Sequence, residues 1–311
     1  MPLPQDFLDE AKRLRNWGRW GDDDEIGTLN FVDGAARRRG AESVRDGKAF
    51  SLAMPLKEDG IQMGWIPGRV NPTRTMTQVN HLLGADEDGV RSSDDVVFMA
   101  LQAATHWDSL AHVSYGGNLW NGHPASAVTS EGGATKCGID KIKTLTSRGV
   151  LLDVARAMGV DRLEGATVVG PDELDAALEL AKVTIEPGDV VLVRTGAMSH
   201  LKGPAPNKIA YVYPAAGLGQ AAPGWFHARD IAAVATDTMV FEVYPWEREE
   251  VPMPVHMLDI VEMGLTQGQN FDLEDLAADC ADDGRYTFFL EASPQPFVGG
   301  VGSPVNPVAV K

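Results

Sequence analysis

Six short apolar runs, at residues 49–56, 96–101, 150–154, 190–193, 231–235 and 286–290, constrain this chain more than any other feature. Runs of this length, rich in Val, Ile, Leu and Phe, predict mostly buried β-strands rather than helices with one apolar face. Other segments carry apolar residues at helical spacing. They predict helices over 171–182, opened by Pro171 in a favourable first-turn position, over 256–263, and over 272–281 with Leu273 and Leu276 on one face. Residues 5–15, with Phe7, Leu8, Ala11 and Leu14, predict an amphipathic surface helix. Strands interleaved with helices imply an α/β fold of mixed sheets flanked by helices. Residues 59–95 and 115–147 have no clean periodicity, which argues against a regular βα barrel.

The 33 Gly and 19 Pro are spread through the 311 residues with no low-complexity linker, so residues 1–311 are expected to form a single domain. Residues 1–45 would supply an N-terminal helix and arm. The turn-rich, aromatic stretch from Trp17 to Phe31 is of the kind that packs on a partner subunit, and a homo-oligomer, dimer or tetramer, is expected. Residues 299–307 read as a turn-rich closing segment. Against 27 Lys and Arg stand 44 Asp and Glu, a net charge of -17, with acidic clusters at 22–25, 86–88 and 279–283. Such a surface repels phosphate backbones and anionic membranes, leaving a small-molecule substrate as the expected partner. Two cysteines, Cys137 and Cys280, form no disulfide framework, and no signal-peptide or membrane-helix pattern is present, so a cytoplasmic location is expected.

The most informative stretch runs from Gln102 through Thr105, His106, Trp107 and Asp108 to His112, directly after the strand predicted at 96–101. In an extended chain alternate side chains face one way, so Gln102, His106 and Asp108 share a side. An amide oxygen, an imidazole and a carboxylate then lie within reach of one metal ion. Mixed N/O ligands with open positions suit a catalytic Zn²⁺ or Mn²⁺, and His112 is placed to act as general base. An isolated His-x-Asp is nonetheless more often a hydrogen-bonded pair than a ligand set.

The stretch resembles the signature of the cyclase family of metal-dependent hydrolases, His-x-Gly-Thr-His-x-Asp-x-Pro-x-His. That family includes bacterial kynurenine formamidase, isatin hydrolase and trans-dienelactone hydrolase. Thr105, His106, Asp108 and His112 match, whereas Gln102, Ala104 and Leu110 replace the first His, the Gly and the Pro. Gln in the first position is similar to the trans-dienelactone hydrolase branch, although that branch carries a second Gln where this chain has His106. Trp20-Gly21 with Asp24 and 27–30, Leu192 to Gly196, and 302–307 extend the likeness. The resemblance implies a swivelling β/β/α-like fold and a further ligand, His256. At Gln269 the chain has an amide where the two-metal formamidases have Glu. With Gln102 and Gln269 both neutral, the implied site holds one divalent ion, Zn²⁺ or Mn²⁺. His106, Asp108 and His256 would be its firm ligands, with Gln269 and Gln102 supporting them.

The implied reaction is the opening of a small lactone or cyclic amide by metal-activated water. The alternatives are a linear-amide hydrolase of the kynurenine formamidase type, or a catalytically degenerate binding protein. Trp65, Trp107 and Trp120 are candidate pocket walls, and His81 a candidate substrate contact. Asp237 or Glu242 would orient a ligand from behind. An anionic substrate would need a local cation, for which Arg74 and Arg194 are the candidates. His123, His200 and His227 are assigned to structure or surface, Cys137 and Cys280 to buried inert thiols. A serine nucleophile at Ser114 and a dinucleotide loop at 217–222 lack the flanking elements those motifs require.

Overall fold

The computed structural model describes residues 2–85 and 88–311. Asp86 and Glu87 of the acidic cluster at 86–88 lie outside them. Nine strands form one mixed sheet. In chain order they are β1 (Ala49–Ser51), β2 (His106–Asp108), β3 (Thr146–Asp153), β4 (Val190–Arg194), β5 (Ala233–Thr236), β6 (Thr266–Gln269), β7 (Thr287–Glu291), β8 (Gly302–Pro304) and β9 (Val308–Val310). Their order across the sheet is β1-β9-β7-β3-β4-β5-β6-β2-β8. The four middle strands β3 to β6 run parallel and the flanking pairs antiparallel. The sheet curls: Val305, just beyond edge strand β8, donates its N–H to Thr105 O, and four residues later the chain has crossed to β9 near the opposite edge.

The middle strands are apolar because both faces are covered. Val190 to Val193 and Ala233 to Ala235 are all fully buried. Full burial of each Val or Leu contributes about 1.5–3 kcal/mol. One face packs against α1 (Gln5–Leu14) and α3 (Pro171–Ala181) through Phe7, Leu14, Leu174 and Ala177. The other packs against α4 (Glu274–Asp283) through Leu276 and Cys280, while α2 (Gly34–Glu42) lies over β3. Pro171 begins α3 as expected, Glu173 accepts the Gly170 N–H at 2.9 Å, and Lys182 ends the helix in the left-handed conformation.

Several sequence expectations change. The run 96–101 is not a buried strand: residues Arg91–Phe98 pair with Thr73–Leu82 as a hairpin, and Val96, Val97 and Phe98 are exposed. Hydrophobicity there marks a projecting arm, and the chain turns between it and β2. The closing segment contains β8, whose Pro304 is tolerated because the strand lies at the sheet edge. The N-terminal arm packs on its own chain. Trp17 Nε1 donates to Val261 O, and Trp20 packs on Trp120. The 217–222 stretch does form a two-residue strand and lead into helix Ala222–His227, but both are too short for a dinucleotide site. Among the described residues no helix is long and apolar enough to cross a membrane.

Candidate active site

Strand β2 lies between β6 and β8, with His106 opposite both Gln269 and Pro304. His106 and Asp108 point to one face of the sheet and Trp107 to the other. Trp107 packs edge-on against Phe271 and donates Nε1–H to Ala292 O, so it is core and not a pocket wall. Trp120 is likewise buried, under Gly264 and Trp20. His256 closes the short helix Pro254–His256, which continues as a π-helical turn over Met257–Met263. Wider turns of this kind occur frequently at functional sites.

These elements bring together His106, Asp108, His112, His256 and Gln269. His106 Nδ1 lies 2.7 Å from Ala104 O, and since a carbonyl only accepts, Nδ1 carries the proton and Nε2 a lone pair. That Nε2 is buried without a partner, 3.4 Å from Asp108 Oδ1, which has none either. Asp108 Oδ2 accepts from Gln269 Nε2 at 2.7 Å, and Gln269 Nε2 lies 3.4 Å from His256 Nε2. Glu242 accepts from His256 Nδ1 and faces the backbone N–H groups of Val255 and His256, so it fixes that ring as expected. Asp237 does something else: it accepts from Thr195 N, Thr195 Oγ1 and Gly196 N and ties down the turn after β4.

Gln102 does not share a strand with His106. It lies in the turn before β2, and its Nε2 is buried and unpartnered toward Gly302, the residue opposite Asp108. His81 sits on the exposed hairpin opposite Ser92, away from the cluster of its own chain. Arg74 faces Asp95 on that hairpin, and Arg194 is held by Asp153 and Glu274, so neither serves the site. The cation that does reach it, Arg69, was not anticipated: its Nη2 lies 3.5 Å from His112 Nε2. Residues 64–69 offered only a Gly- and Pro-punctuated loop with a Trp.

Burial would raise the Asp108 carboxyl, but the surrounding His112, His106 and His256 override it and hold the group well below the usual carboxylate range. Burial chiefly, helped by His256, Arg69 and His106 and opposed by Asp108, lowers His112. It is therefore neutral at pH 7, with Nε2 3.7 Å from Asp108 Oδ1. Above the cluster opens a cleft of about 600 Å³, whose walls include Trp65, Met239, Tyr244, Trp246 and Met253. Trp65 comes from the loop before the hairpin; the others come from the loop after β5, at the C-terminal end of a parallel strand. Burial pushes the Cys137 and Cys280 thiols up to about 12, leaving both inert.

The donors fit a cation. His106 Nε2 and Asp108 Oδ1 lie 3.4 Å apart, both buried and without a hydrogen-bond partner, and a bound cation would satisfy both. Among the described residues no three His, Cys, Asp or Glu side chains converge closely enough to hold a metal ion as they stand. His106 and Asp108 form the centre of the cluster, and Gln269 lies between Asp108 and His256.

A curled mixed sheet with a buried donor cluster beneath an apolar cleft defines the class of α/β protein. The family model described as putative cyclase matches residues 50–243. A solved structure described as a novel cyclase is 37% identical, with a TM-score of 0.86 over 96% of this chain and 100% of that one. Isatin hydrolase A from Labrenzia aggregata, bound to benzyl benzoate, is 18% identical with a TM-score of 0.64, over 86% of this chain and 94% of its own. A predicted metal-dependent hydrolase from Bacillus stearothermophilus is 16% identical with a TM-score of 0.53, over 85% and 98% respectively. Among curated proteins none matches. The chain belongs to the cyclase family.

Proposed function

We propose that this protein is a metal-dependent hydrolase that opens a small cyclic ester or cyclic amide. The observation that carries the reading is the pair of buried, unpartnered acceptors, His106 Nε2 and Asp108 Oδ1, directly beside the neutral His112. The solved neighbours described as isatin hydrolase and as a metal-dependent hydrolase support it. His106, Asp108 and His256 would hold one divalent ion, Zn²⁺ or Mn²⁺, which supplies positive charge to polarise a carbonyl and acidify water.

The chain's own residues do the rest. Gln269 holds the Asp108 carboxylate in place, and Glu242 keeps the His256 proton on Nδ1 so that Nε2 remains a donor atom. His112 Nε2 takes the proton of the attacking water and returns it to the departing oxygen or nitrogen. The largely apolar walls of the cleft lower the local polarity, which strengthens each of these charges. Gln102, unpartnered beside Gly302, is a supporting hydrogen-bond donor. We further propose a cytoplasmic homo-oligomer, in keeping with two free, buried cysteines and a long exposed hairpin.

Metal analysis of the purified protein, with a hydrolysis screen over lactones, cyclic amides and N-formyl amines before and after chelation, tests the reading. About one metal per chain and chelator-sensitive ring opening are expected. Two metals with formamide turnover would replace it by the linear-amide hydrolase, and no metal with no turnover by a degenerate binding protein. Glu242→Gln should weaken metal affinity about 10–100-fold in a metal titration, because the His256 ring loses its orienting carboxylate.

A further inference from the structure

Asn270 follows Gln269 at the end of β6, fully buried and with φ at +61°. Few residues other than Gly accept that left-handed backbone, and Asn is one of them. Each of its four polar groups is engaged, by three different parts of the chain. The N–H donates to Thr238 O at 3.0 Å, just beyond β5, and the carbonyl accepts from Thr105 Oγ1 at 2.5 Å. In the side chain, Nδ2 donates to Ala104 O at 3.0 Å and Oδ1 accepts from Tyr211 Oη at 2.8 Å. The partners fix which way the amide points: a carbonyl only accepts, so the nitrogen faces Ala104 and the oxygen is left to the tyrosine hydroxyl.

Ala104 O is also the atom that receives His106 Nδ1–H, at 2.7 Å. One buried carbonyl therefore accepts from both Asn270 and His106, one bond to each of its lone pairs. The imidazole can keep its proton on Nδ1 only while that carbonyl faces it, and the bond from Asn270 stops the Ala104 peptide from turning away. Behind Asn270, Tyr211 comes from the short helix Lys208–Val212, is fully buried, and sets its hydroxyl 3.1 Å from Asp237 O as well. Thr105 Oγ1 is braced in turn by Met54 N at 2.8 Å. None of the groups making these bonds is ionised, so what they supply to His106 is position rather than charge.

We infer that Asn270, braced by Tyr211, is a positioning residue for the metal centre: by tying down the Ala104 carbonyl it keeps the His106 proton on Nδ1 and the Nε2 lone pair turned toward Asp108. This rests on the reading of His106 and Asp108 as ligands of a hydrolase. A ligating imidazole is held through its second nitrogen, and here the acceptor of that hydrogen bond is itself held by another residue. The position calls for Asn. Gly would take the backbone conformation but offers no donor, and the carboxylate of Asp would set a second acceptor against the Ala104 carbonyl.

The tautomer can be read with neither metal nor substrate, from the imidazole nitrogen NMR shifts of His106 in chelator-treated protein, assigned by comparison with His106→Gln. Asn270→Gly keeps the left-handed turn and both backbone hydrogen bonds and removes only the side chain. In that variant the single Nδ1–H form should give way to a mixture of tautomers, and Zn²⁺ affinity, measured by competition with a chromogenic chelator, should fall about 10-fold. Tyr211→Phe removes the brace but leaves the bond to Ala104, so its loss of affinity should be smaller, about threefold; it becomes the test if Asn270→Gly does not fold. A merely structural role would lower the melting temperature while leaving the tautomer and the Zn²⁺ affinity of the folded protein as in the wild type, and that result overturns the inference. The tautomer also separates the two readings. Chelator-sensitive hydrolysis with the tautomer unchanged in Asn270→Gly would sink the role of Asn270 and leave the hydrolase, whereas a tautomer change in a protein that binds no Zn²⁺ would leave the hold on His106 standing and remove the hydrolase.

Discussion

A histidine between a carboxylate and a guanidinium titrates by whichever neighbour and environment dominate, and at His112 burial does. With its pKa below the ordinary 6.5, the ring stays neutral and basic through the neutral range. Because the folded state holds this proton less tightly than the unfolded chain, the stability it contributes is present above pH 6.5 and lost as pH falls through the lower folded value. The same titration should govern activity. The acid limb of kcat/KM is expected below pH 6.5, and His112→Ala should lower kcat about 10²–10⁴-fold, abolish that limb and keep the metal content unchanged. A limb that survives in the variant would assign the base elsewhere. His106, Asp108 and His112 are legible as a short motif of side chains that carry chemistry, and His256 only through the family resemblance. Arg69 is not, since nothing in a loop distinguishes a site arginine from the surface arginines around it.

At the scale of elements, β2 and β6 carry the site on one face only because the other is filled so tightly. Gly268, opposite Trp107, leaves room for the indole: an added Cβ would meet Ala235 Cβ and Trp107 Cζ3 at 2.7 Å and Phe271 Cε2 at 2.8 Å. Gly268→Ala should therefore cost about 1–3 kcal/mol in thermal or denaturant unfolding and displace Gln269, its neighbour. A variant as stable and as active as the wild type would show that the sheet relaxes there without effect. Periodicity located β3, β4, β5 and β7 within a few residues, because buried parallel strands are uninterrupted apolar runs. It misplaced β2 and missed β8. Three-residue strands owe their existence to neighbours distant in sequence, and the parity expected of Gln102 was broken by a turn that no local pattern announced.

For the whole molecule, the hairpin of Thr73–Leu82 and Arg91–Phe98 is the feature a single chain leaves unfinished. Val79, Val90 and Phe98 are 65%, 72% and 73% exposed, and a two-stranded ribbon alone is only marginally stable in water. Sedimentation should therefore find a homo-oligomer, and replacing 76–95 by a two-residue turn should shift it to monomer while the body remains folded. A wild-type monomer at micromolar concentration would count against the oligomer. The sequence alone determined the α/β character, the acidic surface that disfavours nucleic acid, and the His and Asp residues of the motif. These follow from composition and from patterns a few residues long. Only the tertiary structure decided that Trp107 is core, that His81 stands apart on an exposed arm, and that Arg69, Tyr244 and Trp246 line one cleft with His112. Such groupings depend on how a curled sheet brings distant loops to one end, and that path is set by the packing of the entire core rather than by any local segment.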